Sequence, residues 1–369
     1  MNPKPYWILR HHGSSSIRAL HHAHNLLAVG DECGCVSLVD LAVLRRRFTW
    51  TPHTDSILTV VVVDAQHVVT HARDNTLKLW RLPSTLTALG SGDGMMSNDV
   101  GHSTSSAPLP ELVRDIGVNA LNFAKCSMLD NSLAVPNALD AAYIDIIDLT
   151  TGVRTHEAIG RPDIQHASGK RLPIVMSLHL LSSQELVAGY EDGCVKKWSL
   201  HDSQLVWQAR CHSESVMALA VSETRFGISV GADDRLARFD LSTGETTLTQ
   251  TDTAGKSSTA IAPDALTFAV GAWDGSITVY STADLSRLGS LDYHKDTVEC
   301  LAFARVKIPN KDDDSDSDSD SDFDSDSDDN DGDGDGHDKV PSQGVSHSAH
   351  QLILAAGGRD GKVSLWTYH

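Results

Sequence analysis

The chain has 369 residues, 40% of them hydrophobic, with 30 Lys and Arg against 49 Asp and Glu for a formal net charge of −19. That length holds two or three average domains or one large repeat architecture with a sizeable core. The charge excludes a general nucleic-acid binder, because phosphate contacts need clustered cations. Fifteen aspartates lie between Lys311 and Lys339, with no Lys, Arg or Glu among them. Setting them aside leaves 34 acidic against 30 basic residues, so the body is nearly neutral and the acidity belongs to one segment. No apolar run reaches the roughly 18 residues of a membrane span. Met1-Asn2-Pro3-Lys4-Pro5 leads into a strand-like run without the apolar core of a secretion signal. Of the cysteines at 33, 35, 126, 194, 211 and 300, only Cys33 and Cys35 are close. C-x-C within a strand suits neither a disulfide nor zinc, so a reduced setting, nucleus or cytoplasm, is expected.

The first predicted element is a strand at Pro5-Tyr6-Trp7-Ile8-Leu9-Arg10. After it, a tight turn followed by an alternating strand recurs seven times, opening at Asp31, Arg73, Leu139, Glu191, Ala232, Trp273 and Arg359. Asp followed by Gly or Asn, as in Asp74-Asn75 and Asp192-Gly193, is hairpin chemistry that tolerates a positive φ. The strands close on Val39, Trp80, Ile147, Trp198, Phe239, Tyr280 and Trp366, at intervals of 41, 67, 51, 41, 41 and 86. Three intervals of 41 fall within the roughly 40–45 residues of a four-stranded propeller blade. The others exceed that period by 26, 10 and 45, which marks insertions. Residues 84–109 form a low-complexity loop insertion, the ten-residue excess falls near Gly160 to Gly169, and residues 305–349 are expected to be an acidic disordered insertion within the last blade. Histidines give a second register: His12 to Val39, His53 to Trp80 and His212 to Phe239 are each 27 residues. His294 to Trp366 is 72, longer by the same 45 as the last insertion. The expected fold is all-β, a single seven-bladed β-propeller over residues 1–369. The third strand of its last blade ends at Trp366-Thr367-Tyr368, so the strand at residues 5–10 is expected to pair there and close the ring.

The order His, then Ser or Thr, then Asp, then Trp resembles the WD40 repeat. The resemblance implies that these side chains form a hydrogen-bonded tetrad buried inside a blade. The second repeat has the full set, His53, Thr70, Asp74 and Trp80. The fifth has His212, Ser229 and Asp233, with Phe239 in place of Trp. The seventh has His294, Asp360 and Trp366, but Ala356 where the hydroxyl belongs. Repeats one, three and six are degenerate, the sixth with Thr259-Ala260-Ile261 where a histidine motif would stand. The stretch from Thr70 to Trp80, the run Gly117 to Phe123, the turn Val135-Pro136-Asn137 and the turn Gly189 to Gly193 are together similar to the fungal ASTRA-associated WD-repeat group, itself similar to the animal guanine-nucleotide-binding-protein beta-subunit-like group. The opening strand and the run Asn25 to Asp31 fit the same pattern. Ala72, where relatives tend to have Gly, and the aspartate tract depart from it. The resemblance implies a non-catalytic scaffold subunit of a nuclear assembly. That assembly is linked to chromatin remodelling and to maturation of phosphatidylinositol-3-kinase-related kinases. Kinase-related and RuvB-like ATPase components are the implied partners.

Little else points to chemistry. His11-His12 and His21-His22-Ala23-His24 lack the H-E-x-x-H spacing of a metalloprotease and read as surface-turn residues. Gly255-Lys256-Ser257 ends like a phosphate-binding loop, but Gln250 stands where its first glycine belongs and no helix is expected to follow. Asp331 to Gly336 mimics the start of a calcium loop, yet Ser342 occupies the twelfth position, where a bidentate Glu is required. Catalytic residues, cofactor and metal are therefore expected to be absent. The turn between second and third strands of each blade presents Glu32, Arg73, Asp140, Glu191, Ala232, Trp273 and Arg359 on one rim. Trp273 beside Arg73 and Arg359 has the composition of an interface hot spot, with Glu191 on the same rim. The aspartate tract reads as a tolerated solubilising insertion, or as an arm for a basic protein. Ser315, Ser317, Ser319, Ser321 and Ser325 each have Asp three residues on, which suits an acid-directed kinase. Two function classes remain: the scaffold subunit, and a propeller reader or adaptor that binds histone or degradation peptides at its central channel. Neither involves direct nucleic-acid or membrane contact.

Overall fold

A computed structural model describes residues 3–84, 109–119, 124–162, 171–223, 225–307 and 350–368. Most of both insertions, the end of the Gly160 to Gly169 excess and the last residues of the Gly117 to Phe123 run lie outside the described residues. The turn signals open seven antiparallel sheets of four strands each. The opening strand is β1 (Trp7–Leu9). Blade one comprises β2 (Ile17–Ala23), β3 (Leu26–Asp31), β4 (Val36–Asp40) and β5 (Arg45–Trp50). Blade two comprises β6 (Ile57–Val62), β7 (His67–Ala72), β8 (Thr76–Arg81) and β9 (Glu111–Gly117). Blade three comprises β10 (Ser127–Leu129), β11 (Ser132–Pro136), β12 (Ile144–Asp148) and β13 (Arg154–Ile159). Blade four comprises β14 (Val175–Ser182), β15 (Glu185–Tyr190), β16 (Cys194–Ser199) and β17 (Leu205–Arg210). Blade five comprises β18 (Val216–Val221), β19 (Phe226–Gly231), β20 (Arg235–Asp240) and β21 (Thr246–Gln250). Blade six comprises β22 (Lys256–Ile261), β23 (Thr267–Ala272), β24 (Ser276–Ser281) and β25 (Arg287–Asp292).

Blade seven takes β26 (Val298–Lys307), β27 (His350–Gly358) and β28 (Val363–Tyr368) from its own repeat and β1 from the other end of the chain. Trp7 faces Leu365 and Leu9 faces Val363 across that antiparallel pair. Leu9, Ile17, Leu27, Val363 and Leu365 form one buried cluster, so the same contact that closes the ring also packs blade seven on blade one. β26 and β27 remain paired out to Lys307↔His350.

The core lies between neighbouring blades, and one packing rule recurs. The first strand of a blade opens on a fully buried β-branched residue just before a bulge: Ile17, Ile57, Val175, Val216 and Val298. For all but Val175, which follows Pro136 of blade three, the preceding blade leaves room for it with a glycine. A Cβ on Gly30, Gly189, Gly271 or Gly357 would come within 2.4–2.7 Å of Ile57, Val216, Val298 or Ile17. The histidines near the first turn depart from the surface-turn expectation. His21 and His22 lie within β2, partly buried, and His24 with Asn25 forms the turn at φ 52 and 61. His21 Nδ1 accepts a hydrogen bond from the Val62 amide at 3.2 Å, which ties blade one to blade two.

Candidate functional site

Blade two assembles its four marker side chains into one set. His53 Nδ1 lies 2.9 Å from Asp74 Oδ2, and His53 Nε2 lies 2.7 Å from Thr70 Oγ1. Trp80 Nε1 donates to the same Thr70 oxygen at 2.9 Å. The turn glycine of the preceding blade seats the histidine. Gly34 has φ +80, and a Cβ there would lie 2.2 Å from the His53 carbonyl oxygen. Gly193 stands in the same relation to His212, also at 2.2 Å. Only glycine tolerates both the backbone angle and that approach. In blade five His212 bonds Asp233 at 2.8 Å and Ser229 at 2.9 Å, while Phe239 packs on Trp207 and has no indole donor.

In two blades the hydroxyl comes from the neighbouring strand. His294 Nε2 lies 2.8 Å from Ser364 Oγ, and Trp366 Nε1 donates to that oxygen at 2.9 Å. Ser364 directly faces Ala356 across the β27–β28 ladder, so the hydroxyl has moved one strand outward without leaving its place in space. Blade one, expected to be degenerate, keeps a histidine, a carboxylate and a hydroxyl and lacks only the tryptophan, where Val39 stands. His12 bonds Asp31 at 2.7 Å and Ser37 at 2.8 Å. Ser37 faces Val29 across the equivalent ladder, the same crossing of strands, while Asp31 ends β3 instead of sitting in the turn. Blade three puts a fully buried Asp145 at the position of Ser37 and Ser364, held by Asn137, Arg154 and the Ala158 amide at 2.8, 2.9 and 2.9 Å. Blade four joins Trp198 Nε1 to the Tyr190 hydroxyl at 2.9 Å. Burial is the main reason that His53 and His212 titrate below the ordinary imidazole range, so each ring stays neutral and can accept as well as donate.

His12, Asp31 and Cys35 bring potential metal-ligand atoms within 4.8 Å of one another. Both ring nitrogens of His12 are engaged, and burial pushes the Cys35 thiol up to about 11. This set does the job of a blade tetrad and offers a metal no free lone pair on the histidine and no thiolate.

The rim residues stand on separate turns. Trp273 is 48% exposed, and its ring lies flat on Gly255, where a Cβ would come within 2.4 Å of the indole. Arg73 and Arg359 are exposed on blades two and seven. Arg359 is tied down, since its Nε and Nη2 donate to Glu299 Oε1 at 3.1 and 2.8 Å. Arg18 Nη1 reaches the same oxygen at 2.8 Å and links it to Glu32 at 3.6 Å. Glu191 pairs with Arg171 at 3.0 Å. Residue-type patterning had no means of finding Glu299 and Arg18, which lie on inner strands. At the centre of the ring, Met176, Leu178, Met217, Leu219 and Lys125 line a cavity of about 190 Å³. The Lys125 ammonium crosses toward blade seven and donates to the Glu299 carbonyl at 3.2 Å.

Comparisons with known proteins point the same way as the fold. The WD domain, G-beta repeat family matches residues 334–367. ASTRA-associated protein 1 of Verticillium alfalfae is 30% identical over 99% of this chain and 92% of its own length. The Aspergillus niger protein of the same name is 29% identical over 98% and 96%, and that of Schizosaccharomyces pombe is 27% identical over 82% and 93%. Among solved structures, the computationally designed Ika8 protein superposes with a TM-score of 0.58 at 17% identity, over 97% of this chain and 98% of that one. That likeness concerns fold alone.

Proposed function

The chain belongs to the ASTRA-associated protein 1 family, and from that premise we propose that it is a non-catalytic WD-repeat scaffold subunit of a nuclear ASTRA-like complex. The observation that carries the reading is similarity along 99% of the chain and 92% of a relative named for association with ASTRA. A propeller devoted to structural tetrads suits a binding role, because its histidines, carboxylates and hydroxyls are consumed in holding blades together. The reading extends to kinase-related and RuvB-like ATPase subunits as partners, and to a link with chromatin remodelling and kinase maturation. The central cavity of about 190 Å³, crossed by Lys125, gives little room for an inserted peptide and weighs against a channel reader.

The test is affinity purification of the full-length chain and of a form lacking residues 311–339, with partners identified by mass spectrometry. Kinase-maturation subunits in both samples are expected. Histones alone, lost with the acidic segment, would replace the scaffold reading with an acidic chaperone. On the rim, Trp273→Ala is expected to weaken partner retention by about 2 kcal/mol, roughly thirtyfold. Arg73→Ala should cost less, and Arg359→Ala least, because Glu299 already holds that guanidinium. Retention unchanged in the triple variant would remove this rim from the interface.

A further inference from the structure

The wedge between blades seven and one opens outward onto an exposed aromatic and a set of unpaired cations. Leu9, Val363 and Leu365 pack with Val39 and Leu41 of blade one, so this side of β1 and β28 looks toward blade one. Trp7 faces Leu365 across the ladder and lies on the same side of the sheet as Leu9, yet it is 48% exposed. On the other wall, Arg46 faces Val39 across the β4–β5 ladder, so it looks back toward blade seven. Register thus sets Trp7 and Arg46 on facing walls of one groove. His11, two residues beyond β1, stands within electrostatic reach of Arg46, since burial and then that guanidinium hold its imidazole below the ordinary value.

Residues 1–50 carry six Lys and Arg against three acids, the reverse of the chain as a whole. All three acids are committed: Asp31 to His12, Glu32 to the Ser16 amide and Arg18, and Asp40 to Arg47. Arg10, Arg45 and Arg46 are exposed and have no ion-pair partner among the described residues. A half-exposed tryptophan among free guanidinium groups suits an acidic segment that carries one aromatic.

The chain itself holds such a segment. Phe323 is the one Phe, Tyr or Trp between Lys311 and Lys339, and it stands between Asp322 and Asp324 in the aspartate tract, outside the described residues. The tract belongs to the blade that carries Trp7. The chain departs after Lys307 of β26 and returns at His350 of β27, with β28 and β1 next in the sheet. Phe323 lies 16 residues beyond Lys307. Such a tether reaches about 50 Å when extended, against about 15 Å for the three strand spacings from β26 to β1. It also keeps the tract near the groove at roughly millimolar local concentration, which favours it over an acidic segment of a separate protein.

We propose that residues 312–328 dock within the same chain into the groove between blades seven and one, with Phe323 against Trp7 and flanking aspartates on Arg46 and Arg10. The test uses the full-length chain with Phe323→benzoylphenylalanine, irradiated and mapped by peptide mass spectrometry. Cross-links to β1 and β5 of the same chain are expected. Arg46→Glu combined with Arg10→Glu should cut their yield about tenfold without a change in melting temperature, because both side chains are exposed, whereas Arg46→Lys should keep it within about twofold. Raising salt from about 50 to about 500 mM should lower the wild-type yield several-fold, and this decides the matter if the double variant fails to fold. Cross-links to other blades, cross-links only between two chains, or none at all would overturn the docking. So would a yield indifferent to both charge reversal and salt. Subunit retention is read separately, so either result leaves the scaffold reading to its own test.

Discussion

Deletion of residues 1–10 is expected to leave the chain insoluble, or less stable by on the order of 3–5 kcal/mol. β1 supplies the fourth strand of blade seven, paired through Trp7↔Leu365, Ile8↔Ser364 and Leu9↔Val363, with Tyr6 N adding a 2.9 Å bond to the Leu365 carbonyl. Without it, β28 becomes a free edge that carries Val363, Leu365 and Trp366, all at most 3% exposed in the intact ring. Leu9 leaves the cluster that joins blade seven to blade one, so the ring loses both its hydrogen-bonded closure and part of the apolar contact beneath it. Ser364 belongs to the same strand and bridges His294 and Trp366, so fraying of β28 would also loosen the blade-seven set. Melting of the purified truncation by circular dichroism checks this. A soluble form with an equally sharp and equally high transition would mean that the closure contributes little.

The second large effect is acid sensitivity. His71 is fully buried, its ring nitrogens have no partner among the described residues, and burial brings its pKa down to about 4. The unfolded chain binds a proton there near 6.5, the folded chain only near 4. Its stabilisation is therefore fully present above about pH 6.5 and is lost as pH falls toward 4, by up to about 3 kcal/mol. Burial likewise lowers His21 and His179 to about 4, and His53 and His212 shift in the same direction. The tetrad carboxylates add to the trend at lower pH. Burial alone would raise Asp74 and Asp233, but hydrogen bonds and the facing histidines hold both below the usual range, so their contribution is lost as they protonate. The melting temperature is expected to fall steadily from pH 7.5 to pH 5, and His71→Leu should flatten part of that slope. A melting temperature that does not change over this interval would show that the buried rings are protonated without cost.

The blade count is legible in the chain itself because its markers are local. A 41-residue spacing, a turn Asp followed by Gly or Asn, and a closing aromatic all report one hairpin and the loop that leads into it. The same locality exposed the His53, Thr70, Asp74 and Trp80 set, whose members fall within 28 residues of one repeat. Positions were misread where the decisive neighbour lies across a ladder or on another blade. Ala356 looked like a missing hydroxyl until pairing placed Ser364 opposite it, and Val29 with Ser37 repeats the case in blade one. Arg359 looked like a free rim cation, but Glu299 of an inner strand holds it. Lys256 looked like the end of a failed phosphate loop. It is 3% exposed where other blades open on a buried Ile or Val, and its ammonium donates to the Thr253 and Asp233 carbonyls. Repeat number, strand order and turn chemistry were thus determined by sequence alone, because each is set within a few residues. Which side chain completes a tetrad, which cation is free and where a cavity opens were decided by tertiary packing, because each depends on the residue that register and the neighbouring blade bring opposite.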